Sequence, residues 1–489
     1  MITICRFAAS VLFAVVPTTI LTLTIARDDQ PTNQSREAGR KQPTTPLISP
    51  AGLPARPTWR EDVRANTDAL GQAQQEPSLA ISRRDSDVIV VAAKDFRATE
   101  NVSRSVWIYT SHDGGRTWPR NQRFPQMSED IIRHSDPVAV ARDDGRLYVI
   151  ALGTGTPVPS NHGLFITWSD DDGVTWHDAV TVTAQRRTGF DDKEWLTIDQ
   201  APGSPYYHRM VVAWRPSRFD ALWSTYSVDG GLTWTAPISA ADGDIHSAYP
   251  VFDANGRLLL FFIDPLKNDE PGTIRFVVSD DGGDTFSLPR KVVDVRQPKS
   301  PLNARDRFRV LSIISSAIDP NDPDRMVVAW TDARDVDTNG SDAMLAYSHD
   351  GGATWSDPIR LSSDPPGQVR DDFLPVIHGG VRGRLHAFWM DRRGDPDNVL
   401  VNAMYRASGD GGVTWGPSSR VSDLATDHNV AVPPISPSPG DYWGLDSVGN
   451  RVCAAWTDTR DGNEDIYVDC AWMADLGLMY YLPVMLHEG

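Results

Sequence analysis

The stretch Ser111-His112-Asp113-Gly114-Gly115-Arg116-Thr117-Trp118 decides the reading of this chain, because its pattern occurs six times. Ser-x-Asp-x-Gly-x-Thr, closed by Trp or Phe, returns at 169–176, 227–234, 279–286, 348–355 and 408–415. The Ser positions lie 58, 58, 52, 69 and 60 residues apart. A near-regular period of this length marks a stack or ring of supersecondary units, not one globular core. In each copy the Asp can accept hydrogen bonds from backbone N–H groups just ahead of it, and the Gly can take a positive φ. That is a tight turn. A strand-like run precedes each copy, as at 106–110, 164–168 and 274–278, and the closing aromatic returns onto the apolar face.

Around each turn the same larger unit recurs, seven times in all. A first strand is predicted at 77–81, 137–140, 195–198, 249–252, 313–318, 373–377 and 442–445. A polar turn follows, then a hydrophobic second strand at 88–93, 147–152, 210–214, 258–263, 326–330, 385–389 and 452–456. A loop, a third strand, the Ser-to-Trp turn and a fourth strand complete the unit. Four-stranded antiparallel meanders at this period are propeller blades, so the chain is predicted to be all-β, with seven blades favoured and six as the alternative. The seventh unit ends near Trp472 without the turn or a fourth strand. Residues 61–66 resemble the strands after the turns, at 358–361 and 419–422, and are expected to complete the last blade and close the ring. The tail segment 479–486 is a competing candidate for that strand.

The motif is the Asp-box, and from about residue 60 to 472 the chain resembles the sialidase-like Asp-box (BNR-repeat) β-propellers. The resemblance implies that Asp113, Asp171, Asp229, Asp281, Asp350 and Asp410 are structural turn residues. A sialidase of that superfamily holds its substrate's carboxylate with three arginines, uses a Tyr assisted by Glu as nucleophile, and an Asp as acid/base. A phenol with an ordinary pKa near 10 needs such a base beside it. The first arginine sits in an Arg-Ile-Pro segment opening the first blade, and the matching segment here is Gln75-Glu76-Pro77. The arginine is absent, so the chain is not expected to be a standard exo-α-sialidase.

Propeller topology says where a ligand could sit. The turns between strands one and two share a face with the Asp-boxes; the loops between strands two and three, and between blades, form the other. The channel mouth on that second face is the default ligand site. The blade starts expected there are charged and differ from blade to blade: Gln75 and Glu76, His134 and Asp136, Asp191-Asp192-Lys193-Glu194, His246 and Tyr249, Arg305, Arg307 and Arg309, Arg370-Asp371-Asp372, and Asp441-Tyr442. Tyr442 with Glu194 is a candidate nucleophile pair and Asp136 a candidate acid; Arg309, Arg370 and Arg97 are candidate anion clamps, with His134 and Tyr249 as further substrate contacts. The recurring Asp-x-Arg (Asp95/Arg97, Asp332/Arg334, Asp391/Arg393, Asp458/Arg460) fits a scaffold ion pair better than four catalytic sites. The function expected is binding or processing of an acidic glycan. A uronate lyase, with Tyr249, Tyr442, His134 or His246 as base, and a non-catalytic glycan- or protein-binding propeller stay open. No cofactor is implied by any motif; Asp191, Asp192, Asp371, Asp372 and Asp441 could hold Ca²⁺ if they cluster.

The remaining features concern compartment. Residues 1–26 read as a secretory signal, with Arg6 ahead of an apolar run and a Thr24-Ile25-Ala26 cleavage site, or alternatively as an uncleaved anchor. Residues 27–58, rich in Pro, Ser and Thr, read as a disordered leader, 59–472 as the propeller, and 473–489 as a tail. Cys5 leaves with the signal, and Cys453 and Cys470 flank a hairpin centred near Asp461-Gly462, so a disulfide is expected in an oxidising compartment; two buried thiols are the alternative. A secreted, periplasmic or cell-surface monomer follows. The net charge of −18 argues against nucleic acid and anionic membrane surfaces as partners.

Overall fold

A computed structural model of the chain describes residues 57–473, apart from 69–70, 98–103, 129, 156–161, 184–190, 217–220, 266–270, 336–339, 364–367 and 431–438. The expected signal, nearly all of the leader, and the tail segment 479–486 lie outside the described residues.

Seven four-stranded antiparallel sheets form the ring. Their innermost strands are, for blades 1 to 7, Gln74–Ile81, Ile131–Ala141, Asp191–Ile198, His246–Phe252, Ser315–Asp319, Asp372–Gly379 and Gly444–Val448. Consecutive inner strands touch all the way round, blade 7 meeting blade 1. Seven blades, not six, close the circle. The outermost strand of blade 7 is Val63–Arg64, paired antiparallel with Asp465–Trp472 in the register Val63↔Val468 and Arg64↔Tyr467. The N-terminal strand therefore completes the last blade, as its likeness to the post-box strands predicts. Asn66 fastens the junction: its side chain donates to Gln74 Oε1 at 2.8 Å and Asp465 Oδ1 at 2.6 Å, and accepts the Ile466 N–H at 2.8 Å.

The apolar core follows the ring. It divides into seven clusters, each shared by two neighbouring blades, because both faces of every blade are covered by the next one. Trp330, Trp389 and Trp456 occupy matching places on second strands, fully buried, and each donates its indole N–H to the Asp two residues on. Those are the Asp residues of Asp-x-Arg. Their arginines pair with them at 2.5–2.7 Å, and in blade 1 Arg97 also lies 3.6 Å over the Trp107 ring. The recurrence is scaffold, and Arg97 is bound up in it.

The six Asp-boxes are superposable in their bonding. In each, the Asp accepts the backbone N–H of the Thr four residues on at 2.8–2.9 Å and that Thr's hydroxyl, while the Ser hydroxyl accepts the second Gly or its equivalent. Gly115, at φ +85, is one position where a side chain would be strained. Cys453 and Cys470 face each other directly across the blade 7 ladder and are joined as a disulfide.

Candidate active site at the channel mouth

The inner strands carry a device that the strand pattern alone does not announce. In blades 1, 2, 3, 4 and 6 the ladder slips by a bulge just after the strand begins. The bulged residues Glu76, Asp136, Lys193, Ser247 and Leu374 all have positive φ, between 50° and 62°. Non-glycine residues adopt this conformation at a cost, and bulges re-aim side chains next to sites. Three of the five are ionisable, and they belong to three consecutive blades. Blade 7 contributes Asp441 and Tyr442 immediately ahead of its inner strand, packed so closely on blade 1 that a Cβ at Gly440 would lie 2.8 Å from the Glu76 backbone nitrogen.

These groups meet at the mouth opposite the Asp-boxes. Lys193 Nζ lies 2.5 Å from Asp441 Oδ2 and 3.7 Å from Asp136 Oδ2. Arg309 reaches the same Asp441 through Nη2 at 2.5 Å and Nε at 3.2 Å. Lys94 Nζ sits 2.7 Å from Glu76 Oε2. Glu76, Asp136, Lys193, Glu194, Asp441 and Tyr442 are all buried, while the Arg309 side chain is 57% exposed.

Burial and neighbouring charge set the protonation pattern. Burial pushes the Glu76 carboxyl up, helped by Asp136 and resisted by Lys94. Burial also opposes ionisation of Asp136, but the Lys193 and Lys94 ammonium groups and the Ser135 hydroxyl outweigh it and hold that carboxyl below its usual range. Asp441 is held down the same way, against burial, by Lys193 and Arg309. Glu194 goes the other way: burial, then the Asp136 charge, raise it well above the carboxylate range. Tyr442 is raised by burial and by the four surrounding carboxyls Asp136, Glu76, Glu194 and Asp441, and is a neutral phenol. Neither oxygen of Glu194, nor the Tyr442 hydroxyl, has a hydrogen-bond partner among the described residues. Groups this buried are ordinarily satisfied.

The residues expected at the site divide as follows. Tyr442, Glu194, Asp136 and Arg309 come together. Tyr249 stands beside them, stacked on Trp195 at 4.7 Å between ring centroids, with Trp195 also edge-on to Tyr442 at 5.8 Å. Burial pushes the Tyr249 phenol up to about 12. His134 instead faces the seam between blades 1 and 2, 3.2 Å from Ser105 Oγ and edge-on to Phe124; burial pushes it down to about 3. Arg370 donates to the neighbouring Val369 carbonyl at 2.7 Å on the blade 6 rim. Glu76 and Lys193, expected at the mouth as charged blade starts, join the cluster, and Lys94, which no sequence signal marks, joins it through Glu76. The carboxylates considered for Ca²⁺ are spread over blades 3, 6 and 7, with Asp371 bound to Ser341, Asn398 and Arg392, and Asp441 to its two cations. Among the described residues no three metal-ligating side chains cluster.

The Trp195–Tyr249 stack divides the channel, since both rings line the spaces on either side of it. Next to Tyr442 and Asp441 the free space is about 20 Å³, whereas toward the Asp-box face the channel widens to about 490 Å³. The larger space and the buried charged cluster are thus at opposite ends. At the wide end the polar rim is self-satisfied: Arg83 grips Asp446 through two 2.9 Å bonds, and His378 Nε2 lies 3.1 Å from the same carboxylate.

The chain matches the BNR repeat-like domain over residues 53–287 and the BNR/Asp-box repeat over 346–357. No curated protein matches it. Among solved structures it is similar to the leech intramolecular trans-sialidase complexed with 2,7-anhydro-Neu5Ac (13% identity, 70% of this chain, 68% of that one, TM-score 0.46). It is also similar to the Ruminococcus gnavus intramolecular trans-sialidase (13%, 73% and 98%, 0.47) and to the Penicillium chrysogenum α-L-arabinanase (11%, 85% and 98%, 0.43). At these values the likenesses say nothing about this chain's substrate. Six Asp-boxes on a closed ring of seven blades, together with the two family matches, make the chain a member of the sialidase-like Asp-box (BNR-repeat) β-propeller superfamily.

Proposed function

We propose that the chain binds and hydrolyses an acidic glycan at the mouth opposite the Asp-box face. The observation that carries this reading is the buried, unpartnered trio formed by the Tyr442 hydroxyl and the two Glu194 oxygens, set against Asp136. Two carboxyl groups whose surroundings drive their proton affinities apart are an acid and a base in waiting. Glu194, protonated, gives its proton to the leaving glycosidic oxygen; Asp136, ionised, takes one from the attacking water. This reverses the role expected for Asp136 from position alone. Tyr442 enters as a neutral phenol that can donate to the sugar; the Tyr442/Glu194 nucleophile pair would require Glu194 to ionise first.

The ring's closure by Val63–Arg64 leaves no long open sheet edge at the seam, which supports a monomer. A secreted, periplasmic or cell-surface location rests on the 1–26 segment and accords with the disulfide. No helix among the described residues is long and apolar enough to cross a membrane.

The test is product analysis by mass spectrometry after incubation with sialylated, uronate-containing and neutral glycans. A shortened acidic glycan with an added water supports the proposal. An unsaturated uronate end would replace it with a lyase, and no product from folded protein would leave a binding propeller.

A further inference from the structure

Ring closure gathers more oxygen atoms than its donors can serve. Asn66 Nδ2 carries two hydrogens, which go to Gln74 Oε1 at 2.8 Å and Asp465 Oδ1 at 2.6 Å, yet Asp68 Oδ1 stands beside it as a third acceptor at 2.8 Å. The amide cannot turn round, because its Oδ1 already accepts the Ile466 N–H. Asn463 joins the group from the loop between the second and third strands of blade 7. Its Nδ2 donates to the Gln72 carbonyl at 2.8 Å and lies 3.3 Å from the same Asp465 Oδ1. Three buried oxygens here, Asp68 Oδ2, Asp465 Oδ2 and Asn463 Oδ1, have no hydrogen-bond partner among the described residues. Asp465 is 2% exposed and Asn463 7%. Native proteins rarely leave such atoms unpaired. The nearest cationic side chain, Arg64, stands 3.7 Å from Asp465 Oδ2, is shared with Asp461 at 3.8 Å, and is itself 40% exposed.

We propose that these oxygens hold one calcium ion, which ties the N-terminal strand to blades 1 and 7. Asp68, Gln74 and Asp465 each bring an oxygen within 2.8 Å of one nitrogen. The three therefore lie close enough to share an ion whose ligands stand about 2.3–2.6 Å from it, and each oxygen keeps a second lone pair for that purpose. Asn463 is an independent sign of a ligand, since it is neutral and buried, and its bare Oδ1 belongs to an amide set against Asp465. Carboxylate and amide oxygens without nitrogen or sulfur suit a hard cation, and an irregular mix of them suits calcium better than magnesium, which demands a near-ideal octahedron. Two of the four side chains are amides, so the set is no cluster of three acidic, histidine or cysteine side chains, of which the described residues hold none. Asp68 and Gln74 lead into the first blade, whereas Asn463 and Asp465 belong to the last. The ion thus joins the ring where its closing strand, Val63–Arg64, is only two residues long.

The experiment strips the full chain with EDTA, removes the chelator, and adds calcium chloride or magnesium chloride at one fixed ionic strength, following heat of binding and thermal unfolding. The wild type should bind one calcium ion, and its Tm should rise by several degrees at saturation. Magnesium should do much less. Asp68→Asn, at a half-buried position, should weaken calcium binding about tenfold or more by removing one ligand charge, and Asp465→Asn should abolish it. Asp178→Asn, which neutralises an exposed carboxylate of blade 2, should change neither readout. Absence of calcium binding in the wild type, undiminished binding in Asp68→Asn, an equal loss in Asp178→Asn, or a magnesium response as large as calcium's would each overturn the assignment. If Asp465→Asn does not fold, Asp68→Asn decides alone.

Discussion

Lys193 of blade 3 and Asp441 of blade 7 are joined across the channel mouth, Nζ to Oδ2 at 2.5 Å, although 248 residues separate them in the chain. The ammonium is buried, and it also faces Asp136. One lysine thus holds two carboxylates ionised in a place where burial alone would protonate them. It makes the site's charge pattern a property of the closed ring, not of any blade.

Removing it should be costly. Lys193→Met leaves Asp441 and Asp136 buried with fewer cations, and breaking such a pair costs about 3–5 kcal/mol. Arg309 stays on Asp441, so the loss should fall toward the lower end. Because Asp441 is held below its unfolded value, its contribution is present above about pH 4 and lost as pH falls further. Chemical denaturation at pH 7 should show the loss, and Lys193→Met/Asp441→Asn should recover part of it. A Lys193→Met protein as stable as wild type would remove the hub.

Ring closure can be tested at one residue. Asn66 is fully buried and bonds to Gln74, Asp465 and the Ile466 backbone at once. Asn66→Ala leaves those groups unsatisfied and should cost roughly 2–4 kcal/mol in urea unfolding. A cost near zero would mean that Val63–Arg64 is not a working part of blade 7.

The closing blade should also make stability depend on pH. Asp469 accepts the Arg60 and Cys470 N–H groups at 3.0 and 2.6 Å, yet burial first, and then the Asp62 charge, raise its pKa to about 8. A carboxyl raised on folding favours the folded state when protonated. Its contribution is full below about pH 4 and disappears as pH rises through 8. Asp469→Asn should therefore flatten the fall in Tm between pH 5 and 9 and raise stability at pH 9 by about 1–3 kcal/mol. Parallel Tm–pH curves for the two proteins would contradict this.

The fold was legible because its signals are local and repeated. Six Asp-boxes fix one turn per blade, and the strand at 61–66 matches the post-box strands closely enough to predict ring closure. Cys453 and Cys470 flank a hairpin short enough to place them opposite each other. Asp-x-Arg declared itself as scaffold by occurring four times. The site was legible only in part. Tyr442, Glu194 and Asp136 sit at blade starts that differ from blade to blade, which marked them. Glu76 and Lys193 are marked in the same way as charged blade starts, but nothing in the sequence gives either a role. Lys94 directly precedes the Asp-x-Arg of blade 1, whose recurrence speaks for scaffold and hides the lysine. It joins the cluster only through Glu76, when the ring brings blades 1, 2, 3 and 7 together. His134 lies two residues ahead of the bulged Asp136 and packs on Ser105 and Phe124 at the blade seam, a difference that no signal in the sequence carries.

The most direct measurement is turnover of an acidic glycan by Glu194→Gln. The exchange keeps the shape, removes the proton, and breaks no bond among the described residues. If Glu194 is the acid, turnover should fall about 10²–10⁴-fold with Tm unchanged. Turnover within a few-fold of wild type would show that the chemistry is not at this mouth.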